Sequence, residues 1–216
     1  MIYLQHRVNT LAQLQQTPTH FGVELDLRDF GDRLILRHDP FGDGEDFEPY
    51  LAAYRHGPIV LNVKSERIEH RVLDLLRKYR IDDYFFLDSS FPMIRLLSGQ
   101  GERRIAARFS EYEPVEGCLA LAGKIDWVWV DCFTRMPFTP ESYAALKRHY
   151  KLCAVSPELQ GRPVESISKY AAELAPYPVD AVCTKRPDLW TVAGREGPPL
   201  CGGPDVARVD WPIPLG

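Results

Sequence analysis

Glu24-Leu25-Asp26 is the most chemically pointed triplet in the chain. It lies in an apolar run, residues 22–27, whose composition suits a strand. Residues two apart on a strand point to one face, so the two carboxylates share a side. A carboxylate pair on an inward face is costly unless it is protonated, paired with cations or bound to a metal. A hard divalent ion accepts such a pair. The alternative is an ion-paired cluster at a rim, facing Arg28 or Arg37. His6-Arg7 and His38-Asp39 add two imidazoles. Imidazole titrates close to neutral pH, so one ring can take a proton while another gives one. The planar fork of Arg7 suits a phosphoryl oxygen.

Those residues need a scaffold that gathers strand ends. Short apolar runs fall at 2–6, 22–27, 34–37, 59–64, 84–88, 104–109, 127–131, 151–155 and 179–184. Several are apolar on both faces (IVLNV, WVWVD, DAVCT), as parallel strands covered by helices are. Helical patterns separate them at 45–56, 66–79, 92–97, 114–122, 140–149, 164–174 and 187–190. Thr139-Pro140 and Ser156-Pro157 have the form of helix starts. Counting 34–37 as the second arm of a hairpin leaves eight principal strands, which predicts an α/β fold of the (β/α)8 TIM-barrel type over 1–192. An open doubly wound sheet is the alternative, but no glycine-rich phosphate loop supports it. Residues 193–216 read as an irregular Pro/Gly-rich tail.

In a barrel, function collects where strands end. The polar residues there are His6, Arg7, Glu24, Asp26, His38, Asn62, Lys64, Asp88, Ser89, Arg108, Glu111, Asp131, Glu158 and Lys185. Asp131 reads as a helix cap. Lys185 follows the last run, next to the first, and can bring positive charge towards His6. Glu158 and Arg162 line the mouth or open a helix. Trp127, Trp129 and Trp190 read as packing between barrel and helices.

Bulk properties narrow the class. The 216 residues carry a formal charge of −4, which supplies no basic footprint for nucleic acid. No uncharged apolar run approaches membrane-spanning length, and the N-terminus has no signal-peptide pattern. The five cysteines form no CxxC pair, and wide spacing with an odd count favours free thiols. These features together suggest a cytoplasmic protein. They leave the oligomeric state open.

The sequence resembles the glycerophosphodiester phosphodiesterase family, within the phosphatidylinositol-phospholipase-like barrel superfamily. The resemblance is carried by HRVNT (6–10), GVELDLRDFGDRLILRHDP (22–40), LNVK (61–64), DSSF (88–91) and DAVCTKRPDLW (180–190). It implies His6 and His38 as the acid–base pair, Arg7 and Lys64 as phosphate contacts, and Glu24, Asp26 and Asn62 as ligands of a divalent cation, Mg2+ or Ca2+. The implied partner is a small phosphodiester. Three departures stand out. Val8 occupies a position where the family usually has glycine. Asn62 replaces a third carboxylate. Only 23 residues separate His38 from Asn62, so the family's small insertion is missing. Two other functions fit the same residues: a barrel that binds phosphate esters without turnover, and a Schiff-base lyase using Lys64.

Overall fold

In a computed structural model, residues 1–193 are described. The chain runs β1 (Ile2–Gln5), α1 (Leu11–Gln16), β2 (Gly22–Phe30), β3 (Arg33–Leu36), β4 (Glu45–Asp46), α2 (Phe47–Ala53), β5 (Ile59–Val63), α3 (Glu69–Tyr79), β6 (Tyr84–Leu87) and α4 (Phe91–Gly99). It continues through β7 (Ala106–Phe109), α5 (Val115–Leu119), β8 (Trp127–Val130), α6 (Pro140–Lys147), β9 (Lys151–Val155), α7 (Ser166–Leu174), β10 (Ala181–Thr184) and α8 (Pro187–Ala193).

Eight of these strands close a parallel ring. β1 pairs with β10 and β2, β2 with β5, and β5 with β6. β7, β8, β9 and β10 follow in order. The ring closes between β6 and β7 through one parallel bridge, Phe86 to Ile105. Each ring strand is followed by a helix, as the alternation of periods predicts. β3 forms the expected hairpin arm, antiparallel to the outer end of β2, and β4 adds antiparallel to β3. The expected tail lies outside the described residues, except that Ala193 ends α8.

The core has two compartments. Between strands and helices lies the larger one, holding Val23, Leu25, Leu61, Phe86, Val128 and the inward stripes of the helices. Inside the ring, Leu4, Val60, Phe85, Trp127, Trp129, Cys153 and Cys183 pack together, and Phe85 stacks on Trp127 at 4.4 Å. Trp127 and Trp129 therefore fill the barrel, rather than lying between barrel and helices. A strand apolar on both faces does not disclose which face turns inward. Trp190 does pack in the outer compartment, against Tyr170.

Two local departures have simple causes. α1 has a capping box, with Thr10 accepting from Gln13 N–H while the Gln13 side chain returns to Thr10 N–H. Its six residues bury only Leu14, too short a stripe for periodicity to reveal. Residues 45–46, expected as helix, instead pair with β3. Gly22 opens β2 where a Cβ would stand 2.5 Å from both Leu4 Cδ2 and Pro58 O, so the strand can pass between β1 and β5 only without a side chain.

Candidate active site

The inward faces that hold the apolar barrel core become polar two residues further on. Leu4 leads to His6, Val60 to Asn62, Ala106 to Arg108 and Trp129 to Asp131. These groups meet Glu24 and Asp26 of β2 at the end of the barrel where the strands finish. Glu24 and Asp26 are 1% and 0% exposed. Both Glu24 oxygens are engaged: Oε2 accepts from Arg7 N–H at 2.9 Å and Oε1 from the Asn62 amide at 2.8 Å. His6 Nε2 stands 3.7 Å from Glu24 Oε2. Asp26 Oδ2 accepts from the Asn9 amide at 2.8 Å, and Asn9 Oδ1 accepts in turn from Asp26 N–H. Arg7 Nε and Lys64 Nζ each lie 3.8 Å from Asp26.

The carboxylates are therefore not the rim ion pair considered from sequence. Arg28 instead donates to the carbonyls of His38 and Lys64, tying the loops after β3 and β5 together. Arg37 donates to the carbonyls of Asp39 and Asp43.

Burial raises the carboxyl pKa of both Glu24 and Asp26. For Asp26 the neighbouring Glu24 charge adds to this, against the Asn9 hydrogen bond and the Lys64 charge. Two like charges in one dry pocket favour any added positive charge. Burial, reinforced by Arg7 and Lys185, pushes the His6 imidazole down to about 3, so the ring is neutral at neutral pH.

His38 stands apart. Its side chain is 40% exposed, and Nδ1 faces Asp39 Oδ1 at 2.8 Å. It makes no hydrogen bond to the other candidates. Its charge nonetheless reaches Asp26, whose acidity it increases. Six of the seven sequence candidates thus form one contact cluster, with His38 at the rim.

Sequence reasoning passed over Asn9 and gave Asp88, a polar strand end, no role. Asn9 clamps Asp26, but an asparagine just past a strand reads as a turn residue. Asp88 bonds Lys64 Nζ at 3.1 Å and holds both sides of the Arg108 guanidinium at 2.7 and 3.0 Å. Arg7 and Asp88 both have φ near 60°, a left-handed backbone that Asp tolerates better than Arg. Asp131 is no helix cap: it pairs with Arg108 and accepts from Gln160 at 2.5 Å. Thr139 caps α6. Glu158 accepts from Thr184 Oγ1 and Lys185 N–H at 2.6 and 3.0 Å. Val8 is buried, its N–H on Glu24 O and its carbonyl on Tyr50 OH.

The residues can be tested for a hard cation. Among the described residues no three His, Cys, Asp or Glu side chains form a metal-binding group. Yet Asp26 Oδ1 and Asn62 Oδ1 are both buried without a hydrogen-bond partner, and the two residues face each other in the β2–β5 register. Two unpartnered buried oxygens beside a second carboxylate fit such an ion.

No protein-family model and no curated protein sequence matches the chain. Among solved structures, a glycerophosphodiester phosphodiesterase from Agrobacterium tumefaciens is similar, with TM-score 0.62, 20% identity, and coverage of 88% of this chain and 99% of that one. A putative glycerophosphoryl diester phosphodiesterase from the same organism gives 0.65, 14%, 89% and 96%. A glycerophosphoryl diester phosphodiesterase from Parabacteroides distasonis gives 0.64, 15%, 89% and 85%. Likeness at these identities establishes the TIM-barrel fold. Fold alone does not assign chemistry.

Proposed function

We propose that the chain is a phosphodiesterase that hydrolyses a small, glycerophosphodiester-like substrate in the cytoplasm. The observation that carries this reading is the buried Glu24–Asp26 pair with a neutral His6 beside it and two cations, Arg7 and Lys64, 3.8 Å from Asp26. The barrels of similar shape that bear phosphodiesterase names point the same way.

Arg7, with 44% of its side chain exposed, is available to a phosphoryl oxygen through its fork. Lys64 adds charge opposite it. His6 takes a proton from the attacking water as oxygen adds to phosphorus. A P–O bond to one alcohol breaks, and His38 gives its proton to the departing alkoxide. Asp39 occupies Nδ1 of His38, which leaves Nε2 as the donating atom. Glu24, Asp26 and Asn62 would hold a divalent cation, Mg2+ or Ca2+, which when bound supplies positive charge that polarises the phosphoryl group.

A phosphate-ester-binding barrel without turnover remains the second reading, favoured by His38 lying at the rim rather than in contact with His6. The lyase reading is weaker. Two carboxylates flank Lys64, whereas attack on a carbonyl needs an uncharged amine.

Rates on an alkyl and a nitrophenyl phosphodiester separate these readings. His6→Ala and His38→Ala should each lose on the order of 10²–10⁴-fold on the alkyl diester. His38→Ala should recover most of its rate on nitrophenyl, whose leaving group needs no proton. Wild-type turnover no faster than both variants would leave the binding reading.

A further inference from the structure

We propose that the mouth of the barrel seats on a zwitterionic lipid–water interface and draws its phosphodiester from a lipid there; this rests on the phosphodiesterase reading above. Among the described residues five aromatic rings are exposed: Phe30, Phe41, Phe91, Tyr112 and Phe133. Phe30 belongs to the hairpin, which turns aside onto α3, where Arg71 donates to Asp32 O. The other four stand at the mouth. Each follows a polar residue of the mouth by two to four positions: Phe41 after His38, Phe91 after Asp88, Tyr112 after Arg108 and Phe133 after Asp131.

Three loops and the first residue of α4, following four different strands, thus each carry one exposed ring at the end of the barrel that holds the polar cluster. Tyr112 and Phe133 touch, with centroids 5.8 Å apart. Phe41 is fully exposed, at φ 62°, a backbone that costs a phenylalanine energy and gains no packing in return. Exposed aromatic rings grouped on one face mark an interaction surface.

The position of the rim limits what can cover it. It lies at the end of the barrel that holds the site, after β3, β6, β7 and β8, so a lasting occupant there covers the site unless that occupant supplies the phosphodiester. Two macromolecular surfaces carry phosphodiesters: nucleic acid and phospholipid. A chain of net charge −4 and pI 5.9 offers little to a polyanion. Rings that are apolar in body and gathered at one edge suit the interfacial zone of a bilayer. The same net charge disfavours an anionic leaflet, which leaves a zwitterionic one.

The test uses the intact chain with vesicles of phosphatidylcholine. Wild type should sediment with the vesicles, and amide exchange should slow in the loops 39–43, 89–92, 110–114 and 132–136. The combined variant Phe41→Ser, Phe91→Ser, Tyr112→Ser and Phe133→Ser should partition about tenfold less or weaker still, while turning over a soluble nitrophenyl diester at the wild-type rate. Wild type remaining in the supernatant, protection at other segments, undiminished binding by the variant, or protection of the same loops by a single-stranded oligonucleotide would each overturn the proposal. The exchange measurement needs no substitution, so it stands if the variant fails to fold. Vesicle binding without turnover of any diester would support the docking and remove the phosphodiesterase reading instead.

Discussion

Asn62 is the residue that most separates this site from a three-carboxylate cation centre. Its amide donates to Glu24 Oε1 at 2.8 Å, and its Oδ1 is left buried and unpartnered. Replacing it by aspartate removes that donor and faces a new carboxylate towards Glu24 and Asp26. Without a cation, Asn62→Asp should destabilise by about 1–3 kcal/mol, the cost of a buried group losing its partner. With millimolar Mg2+ or Ca2+ the loss should reverse, because three carboxylates hold a hard ion better than two. Thermal melts in chelator and in cation measure this. A variant whose melting temperature ignores added cation would end the reading of this pocket as a cation site. The candidate residues were visible one by one, since His, Asp and Glu at strand ends advertise themselves. Their partners were hidden. Asn9 reads as a turn, and nothing local indicates that it grips Asp26 from 17 residues away.

β6 and β7 are the elements on which closure of the ring depends. Their backbones meet through one bridge, Phe86 to Ile105. The side chains across the seam supply most of the rest: Arg108 on β7 grips Asp88 just after β6, and Tyr84 OH donates to Glu102 at 2.8 Å. Arg108 also reaches across to Asp131 after β8. Arg108→Gln leaves the Asp131 carboxylate without its cation and Asp88 with Lys64 alone, and such losses cost about 3–5 kcal/mol when fully buried. Here 31% of the guanidinium side chain is exposed, so roughly 2 kcal/mol is expected after screening. Urea unfolding measures the loss, and amide exchange should accelerate first in β7. Equal exchange along all eight strands would show that the seam does not need the arginine. The order and type of the ring elements were legible from alternating apolar runs and helical stripes. The seam was not, because strand pairing strength depends on how neighbouring strands splay. The inward placement of Trp127 and Trp129 escaped for a related reason: their strand is apolar on both faces.

Closing the ring forces polar ends from eight strands into one small area, so the molecule as a whole concentrates charge it would otherwise disperse. Asp131 shows the consequence. Its carboxyl is 1% exposed, and burial lifts its pKa from 3.8 to about 6 despite the attraction of Arg108. Arg108 meanwhile holds its proton more tightly than a free guanidinium. Burial works against both charged forms: at Arg108 the contacts with Asp88 and Asp131 outweigh it, and at Asp131 the contact with Arg108 does not. The sign of the linkage follows. A folded-state pKa above the unfolded one means that the native protein binds more protons between about pH 4 and pH 6. Stability therefore falls as pH rises through that window, and the cost is complete above it. Asp131→Asn cannot ionise, keeps an oxygen for Gln160, and leaves Arg108 its two bonds to Asp88. The variant should gain on wild type as pH rises from 4 to 8, by on the order of 1–3 kcal/mol for a shift of this size. Below pH 4 the two proteins should differ little, since both present a neutral group. Urea unfolding of the two at pH 4, 5, 6, 7 and 8 measures the difference. A gap that shrinks with rising pH would mean that the Arg108 bond, and not burial, governs Asp131.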